Sequence, residues 1–216
     1  MRLLATLILL SVQIVPVAPT VLRQTHGLDD WQPDGTGKWR MDGTTLVLFE
    51  AGVPAGPIRR PAGITIFKSA PVADFTMTVD VRSTAPVDLD VRDVLLIVDW
   101  QSPTQFYYVH MARKTDAVHN GIFLVNNADR VRLDDGKGVA KLMDQGWHRT
   151  RLERDSVTGR IAVFFDDAPY LTATDKTLTS GRVGVGSFDE TGEFRNFEVR
   201  GDHFRELVRK LPGLKP

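Results

Sequence analysis

QFYYVHMARKTDAVHNGIFLVNNADRVRL, Gln105 to Leu133, reads as two strands and the opening of a third, joined by polar turns. In the first strand Tyr107, Val109 and Met111 alternate with Phe106, Tyr108 and His110. A period of two sends the two sets to opposite faces of a sheet. One face is expected to be buried and the other to display two aromatic rings and an imidazole. A polar turn from Lys114 to Asn120 leads into GIFLVN, and a second turn carries Asn126, Asn127, Asp129 and Arg130.

Working backwards, VLLIVDW is apolar on both faces, as a central strand should be. Before it, ADFTMTVDVRS is the clearest strand of the chain: Phe75, Met77, Val79 and Val81 alternate with Asp74, Thr76, Thr78, Asp80 and Arg82. That pattern belongs to a sheet with one wet side. TTLVLFE and GITIFKS are earlier strands. Between them AGVPAGPIRRPAG, with three prolines and three glycines, is expected to be a rim loop. HGLDDWQPDGTGKWRMDG is turn-rich, anchored by Trp31 and Trp39.

Downstream, DDGKGVAKLMDQG reads as a loop. WHRTRLERD, the turn SVTGR and IAVFFDDAPY form a hairpin. SGRVGVGSFD and EFRNFEVRG are two more strands, joined by Glu190, Thr191 and Gly192. At the end, Asp202 is a candidate N-cap, Phe204, Leu207, Val208 and Leu211 follow helical spacing, and Pro212 stops the run. About ten to twelve short strands with no strand–helix alternation predict an all-β, antiparallel two-sheet jelly-roll sandwich with a short C-terminal helix.

The 216 residues suit one such domain, expected over 21–201, with the helix and tail over 202–216. Lysine plus arginine and aspartate plus glutamate both count 27, so no global field draws the chain to nucleic acid, and no nucleic-acid partner is expected. MRLLATLILLSVQIVPVAPT, residues 1–20, has the basic start, short apolar run and small-residue end of a secretory signal, cleaved near Ala18 to Thr20; an uncleaved anchor is the alternative. The chain holds no cysteine, which excludes disulfides, thiolate metal sites and cysteine nucleophiles. Export without cysteine fits a secreted or periplasmic bacterial protein, monomeric and free of the membrane once its signal is removed.

DDW (Asp29 to Trp31), Trp39 with Asp42, Gly43 and Leu46, ADF…VDVR (Ala73 to Arg82), GWHRTRLER (Gly146 to Arg154), Gly159 with IAVFFDD, GRVGVGSF (Gly181 to Phe188) and FRNFEVR (Phe194 to Arg200) occur in a spaced order. In that order the chain resembles the concanavalin A-like jelly rolls, in their laminin-G-like branch, and most closely the 3-keto-disaccharide hydrolase domains of secreted bacterial proteins. The resemblance implies the fold. It carries no catalytic residue across, because VLLIVDW and FYYVHMAR stand where that family shows an NSG stretch and a strand with glutamate and glutamine. The ExDxxE arrangement of related glycanases is absent as well. In the closing motif, Gly184 and Gly186 are small enough to let a neighbouring layer approach, and Phe194 and Phe197 cannot share a face of one flat strand.

Glycoside hydrolysis needs two carboxyl groups, about 5 Å apart for retention and farther apart for inversion. No glutamate falls between Gly63 and Val125, which leaves Asp80 and Asp99 as the candidate pair if their strands are neighbours. Burial beside an arginine, with Arg82 or Arg92 available, is the competing fate. His110 is a candidate general base, a hydrogen-bond donor to a ligand, or a half-buried structural histidine. Tyr108, Arg82, Lys68, Asn120, Asn126 and Arg130 are candidate ligand contacts: an aromatic face, amides and charges suit the ring faces and hydroxyls of a sugar. For Trp100 and Phe106 a core role competes with stacking.

Asp88, Asp90 and Asp93 offer oxygen to a calcium ion, but without EF-hand spacing and with Arg92 among them; a solvated acidic turn is the alternative. No other cofactor is indicated: a GxSxG elbow, a phosphate loop and a dinucleotide fingerprint are all missing. These residues together predict a domain that binds a glycan on the concave sheet formed by the middle strands. A sugar-processing hydrolase or lyase and a protein–protein adhesion module are the alternatives.

Overall fold

The computed structural model describes residues 20–23, 27–53 and 56–201; the expected signal segment up to residue 19 and the expected terminal helix lie outside the described residues. Two antiparallel sheets face each other. The first contains β1 (Thr20–Arg23), β3 (Lys38–Asp42), β4 (Thr45–Glu50), β6 (Phe75–Ser83), β11 (His148–Asp155), β12 (Arg160–Phe165), β13 (Ala168–Thr174) and β15 (Gly192–Gly201). Its order is β13-β12-β11-β6-β15-β4-β3, with β1 also paired to β15. The second contains β2 (Trp31–Asp34), β5 (Gly63–Phe67), β7 (Asp93–Ser102), β8 (Gln105–Ala112), β9 (Gly121–Asn126), β10 (Val131–Arg132) and β14 (Arg182–Ser187), in the order β10-β9-β8-β7-β14-β5-β2.

The all-β sandwich expected from the alternation is therefore the fold. Two details differ. The turn-rich segment around Trp31 and Trp39 forms β2 and β3, because each tryptophan is buried and its neighbours complete a sheet edge. Strand β5 ends at Phe67, so Lys68 lies beyond it.

Burial follows the alternation. On β6, Phe75, Met77, Val79 and Val81 are buried and the threonines, Asp80 and Arg82 between them are half-exposed. These apolar residues meet Val94, Leu96 and Val98 of β7 and Tyr107, Val109 and Met111 of β8 in the core between the sheets. Phe194 and Phe197 both reach that core, although they are three apart. The register against β6 shifts between Arg195 and Glu198, and Asn196 adopts φ 53°, so a bulge restores the inward direction. Gly184 and Gly186 admit a neighbouring strand of the same sheet: a Cβ on either would fall 2.2 Å from a carbonyl oxygen of the β5 backbone (Thr65 or Gly63).

Candidate functional site

The outer face of the second sheet, where the open platform was expected, is a second buried core. Ile64, Ile66, Leu95, Ile97, Phe106, Tyr108, Phe123 and Val125 cluster there, with Ile58, Trp100 and Phe188 packed against them. The rim loop is the lid. Within residues 56–62, Ile58 packs on the cluster, the Arg59 guanidinium stands 5.6 Å over the Phe188 ring, and the Arg59 amide donates to Asp129 Oδ1 at 2.8 Å. Asp129 follows β9, whereas the loop leads into β5, so this segment crosses several strands of the sheet. Burial of so much apolar surface under it outweighs the cost of ordering a Pro/Gly-rich loop.

This corrects the expectation for Tyr108 and His110, which are 0% and 1% exposed. The Tyr108 hydroxyl accepts from Arg130 Nη1 at 3.0 Å, and the Arg130 guanidinium covers Phe188 at 4.3 Å. Burial pushes the Tyr108 phenol far above its ordinary pKa, against the pull of Arg130. His110 Nδ1 lies 3.0 Å from the Val118 carbonyl oxygen, so that nitrogen carries its proton. Its Nε2 is 2.7 Å from Asp93 Oδ2, and the ring stacks on Phe188. Asp93 also accepts from the Ser187 hydroxyl and the Phe188 amide. The group is a buried junction between β7, β8 and the end of β14, closed to a substrate.

Asn120 is structural too: it is buried with φ 48°, its Oδ1 accepts from the Ala112 amide and the Tyr170 hydroxyl, and its Nδ2 donates to the Lys114 carbonyl. Asn126 is exposed and bonded to Gln105, and Lys68 is exposed beyond β5, where its amide donates to the Asp30 carbonyl. Trp100 takes the core role, donating from Nε1 to Asp34. The three calcium candidates do not converge. Asp93 is buried in its junction, Asp90 pairs with Arg113 at 2.5 Å, and Asp88 is exposed in the preceding turn. Among the described residues no group of three His, Asp or Glu is placed to hold a metal ion.

The candidate carboxylate pair is separated. Asp80 belongs to β6 and Asp99 to β7, which lie in different sheets. Asp99 sits at a bulge with φ 49°, 0% exposed, and Arg154 Nε donates to its Oδ2 at 2.9 Å. Burial raises the Asp99 carboxyl to about 7 against the pull of Arg154. The arginine partner anticipated for a buried aspartate thus exists, but it comes from β11. Arg92 is itself buried and donates to the Ser83 and Asp144 carbonyls.

The open polar surface is the outer face of the first sheet. There Thr76, Thr78, Asp80 and Arg82 of β6 project between Arg149, Arg151 and Glu153 of β11 and Glu193, Arg195, Glu198 and Arg200 of β15. Two short threonines flanked by long charged side chains leave a furrow. One hollow of about 460 Å³ lies over Thr76 and is bordered by Glu153, Arg160 and Arg200. A second, of about 540 Å³, continues from Arg160 past Phe164 and Thr172 to Lys137 and Tyr170. Arg160 lines both. Hydroxyls, guanidiniums, carboxylates and three aromatic residues, Phe75, Phe164 and Tyr170, line the two hollows, a donor and acceptor set that matches a polyhydroxylated chain. Of the expected contacts, only Arg82 and Asp80 belong to this face. The others here were legible as the alternating charges of RTRLER and FEVR, which mark a wet strand without telling whether it is occupied.

No protein-family model matches the chain. The UDP-N-acetylmuramoylalanine–D-glutamate ligase of Nitrobacter winogradskyi is 70% identical over an alignment of 45 residues, covering 17% of this chain and 9% of the ligase. The same enzyme of Nitrobacter hamburgensis is 70% identical over 30 residues, covering 14% of this chain and 6% of the ligase. The chain thus spans less than a tenth of the curated relatives it matches. Solved structures are similar over most of the chain. The carbohydrate binding module CBM66 from Bacillus subtilis superposes with a TM-score of 0.62 at 16% identity, covering 80% of this chain and 96% of the module. A galectin-like protein of unknown function from Bacillus subtilis gives 0.57 at 16%, covering 81% and 90%. The lectin from Bauhinia forficata in complex with GalNAc gives 0.52 at 14%, covering 86% and 99%. At these identities the likeness is one of fold, the antiparallel two-sheet jelly-roll sandwich.

Proposed function

We propose that this chain is a carbohydrate-binding domain that lays a glycan along the trough on the outer face of its first sheet. Two hollows on this side of the sheet, one over Thr76 and one reaching Lys137, with Arg160 bordering both, carry this reading. The likeness to a carbohydrate-binding module and a sugar-bound lectin supports it at the level of fold. A binding role is favoured over hydrolysis because the carboxylates that border the hollows are already engaged: Glu153 pairs with Arg160, Asp135 with Lys137, and Asp74 and Asp155 accept amide hydrogens of the β11–β12 turn. A retaining or inverting mechanism needs a free acid opposite a free base.

The test is a panel of immobilised polysaccharides probed with the wild-type chain, Thr76→Trp, which fills the furrow, and Arg160→Ala, which removes the side chain shared by both hollows. Binding by wild type, weakened by about tenfold in each variant, is expected, since the tryptophan ring occupies the ligand's space and losing charged hydrogen bonds costs on the order of 1.5 kcal/mol. Retention on no polysaccharide sinks the reading. Binding that neither substitution touches moves the site elsewhere.

A further inference from the structure

The chain as a whole is neutral, yet one sheet face is not. On the outer face of the first sheet three carboxylates each serve two arginines. Asp80 lies 3.6 Å from both Arg149 and Arg195, Glu153 pairs with Arg151 and, at 3.2 Å, with Arg160, and Glu198 pairs with Arg23 at 2.6 Å and Arg200 at 2.5 Å. Glu193 pairs with Arg82, Nε to Oε2 being 2.8 Å. Seven guanidiniums therefore meet four carboxylates. The arginines also stand outermost: the four acidic side chains are 14–34% exposed, against 32–66% for the seven arginines. Two further acids, Asp74 and Asp155, border the far end of the trough, where they accept amide hydrogens of the β11–β12 turn. Of the seven arginines, Arg160 and Arg200 border the hollow over Thr76, and Arg149 and Arg195 flank Asp80 farther along the same face.

We infer that the glycan this face takes is acidic, a polysaccharide bearing carboxylate or sulfate groups. The inference rests on the trough being the sugar site. Two guanidiniums around one carboxylate leave one charge uncompensated and several N–H donors unspent, and a guanidinium's planar fork matches a carboxylate or sulfate in a bidentate pair. The floor supplies hydroxyls for the neutral positions of the chain. A nucleic acid is a poorer fit, because single-stranded bases need free aromatic faces. Here guanidiniums already lie over the rings: Arg151 at 3.6 Å from the Phe164 centroid, and Arg195 and Arg82 at 4.1 and 4.7 Å from that of Trp147.

Affinity measurements on the full chain with polygalacturonate, heparin, dextran and a single-stranded oligonucleotide decide the matter. Tight binding to polygalacturonate or heparin, at least tenfold over dextran, is expected, weakening by about tenfold or more between about 0.05 and 0.5 M salt because exposed charges are screened. Arg149→Glu and Arg200→Glu should each lose about tenfold, Arg149→Lys, which keeps the charge and loses the planar fork, should lose less than Arg149→Glu, and Arg113→Glu, beyond the end of β8, should change nothing. Thermal melts of each variant separate lost binding from lost folding. Equal binding of dextran overturns the acidic specificity and leaves the sugar reading standing; binding of no polysaccharide ends both. An oligonucleotide that outcompetes the acidic polymers also overturns the inference.

Discussion

Asp99 of β7 and Arg154 of β11 meet at 2.9 Å in the interior, each side chain 0% exposed, and tie the two sheets together. Arg154 also donates to the Leu178 and Asp175 carbonyls, so it is the better-satisfied partner, whereas Asp99 Oδ1 has no hydrogen bond. Removing one charge strands the other in a dry core. Asp99→Ala should therefore cost about 3–5 kcal/mol, while the double substitution Asp99→Leu, Arg154→Met should be near neutral or stabilising. Urea denaturation checks both. The folded-state carboxyl is raised, so its contribution is complete below the unfolded value of 3.8 and is lost as pH rises through about 7. Wild-type stability relative to the double variant should fall across that window; a flat difference contradicts the assignment.

The opposite sign applies at Asp175. Burial opposes its charge, but the Tyr107 hydroxyl at 2.5 Å and the Thr177 amide at 2.8 Å outweigh it and hold the carboxyl below its ordinary range. A depressed folded-state pKa contributes stability above the unfolded value, lost as pH falls through the lower folded one. Tyr107→Phe removes the donor and leaves the Leu178 amide without its 2.8 Å acceptor. It should cost roughly 1–3 kcal/mol at pH 7 and less in acid, once Asp175 is protonated in the folded wild type as well. Melting curves from pH 2 to 7 read the difference directly.

His110→Ala tests whether the imidazole is structural. It leaves the buried Asp93 carboxylate facing a cavity under Phe188, and a loss of roughly 3 kcal/mol is expected. Polysaccharide affinity of the folded fraction should stay within about twofold of wild type, a change of less than 0.5 kcal/mol. A variant that melts like wild type yet fails to bind returns His110 to the site.

How far the sequence could be read follows from what alternation encodes. It sorted β6 correctly, placing Val79 inward and Asp80 outward, because a period of two fixes which residues share a face. It also assigned Tyr108 and His110 to one face and Tyr107 to the other. It says nothing about what lies above a face. The lid over Tyr108 comes from Ile58 and Arg59, some fifty residues upstream in a segment whose prolines and glycines mark only a loop. Polar residues under such a lid look the same in sequence as polar residues in water. The Asp99–Arg154 pair was hidden for a related reason, since partners on facing sheets are set by topology and not by local pattern.

The bulge at Asn196 offers the sharpest check on the architecture of the trough. With φ 53°, Asn196 occupies a backbone region that costs a β-branched residue about 1–2 kcal/mol, so Asn196→Val should be destabilised by that amount and Asn196→Gly by less. Its Nδ2 also donates to Asp80 at 2.7 Å, beneath Arg149 and Arg195. Deleting Asn196 is the more informative change. Because Arg195 opposes Asp80 and Glu198 opposes Thr78, the shortened strand can place Phe197 opposite Val79 in plain alternation, with Glu198 and Arg200 still outward. The deletion should fold and keep the charged face. Deleting Val199 instead turns Arg200 toward the core, and that variant should fail to fold. Equal tolerance of both deletions in denaturation experiments would show that the β6–β15 register is not what sets the face.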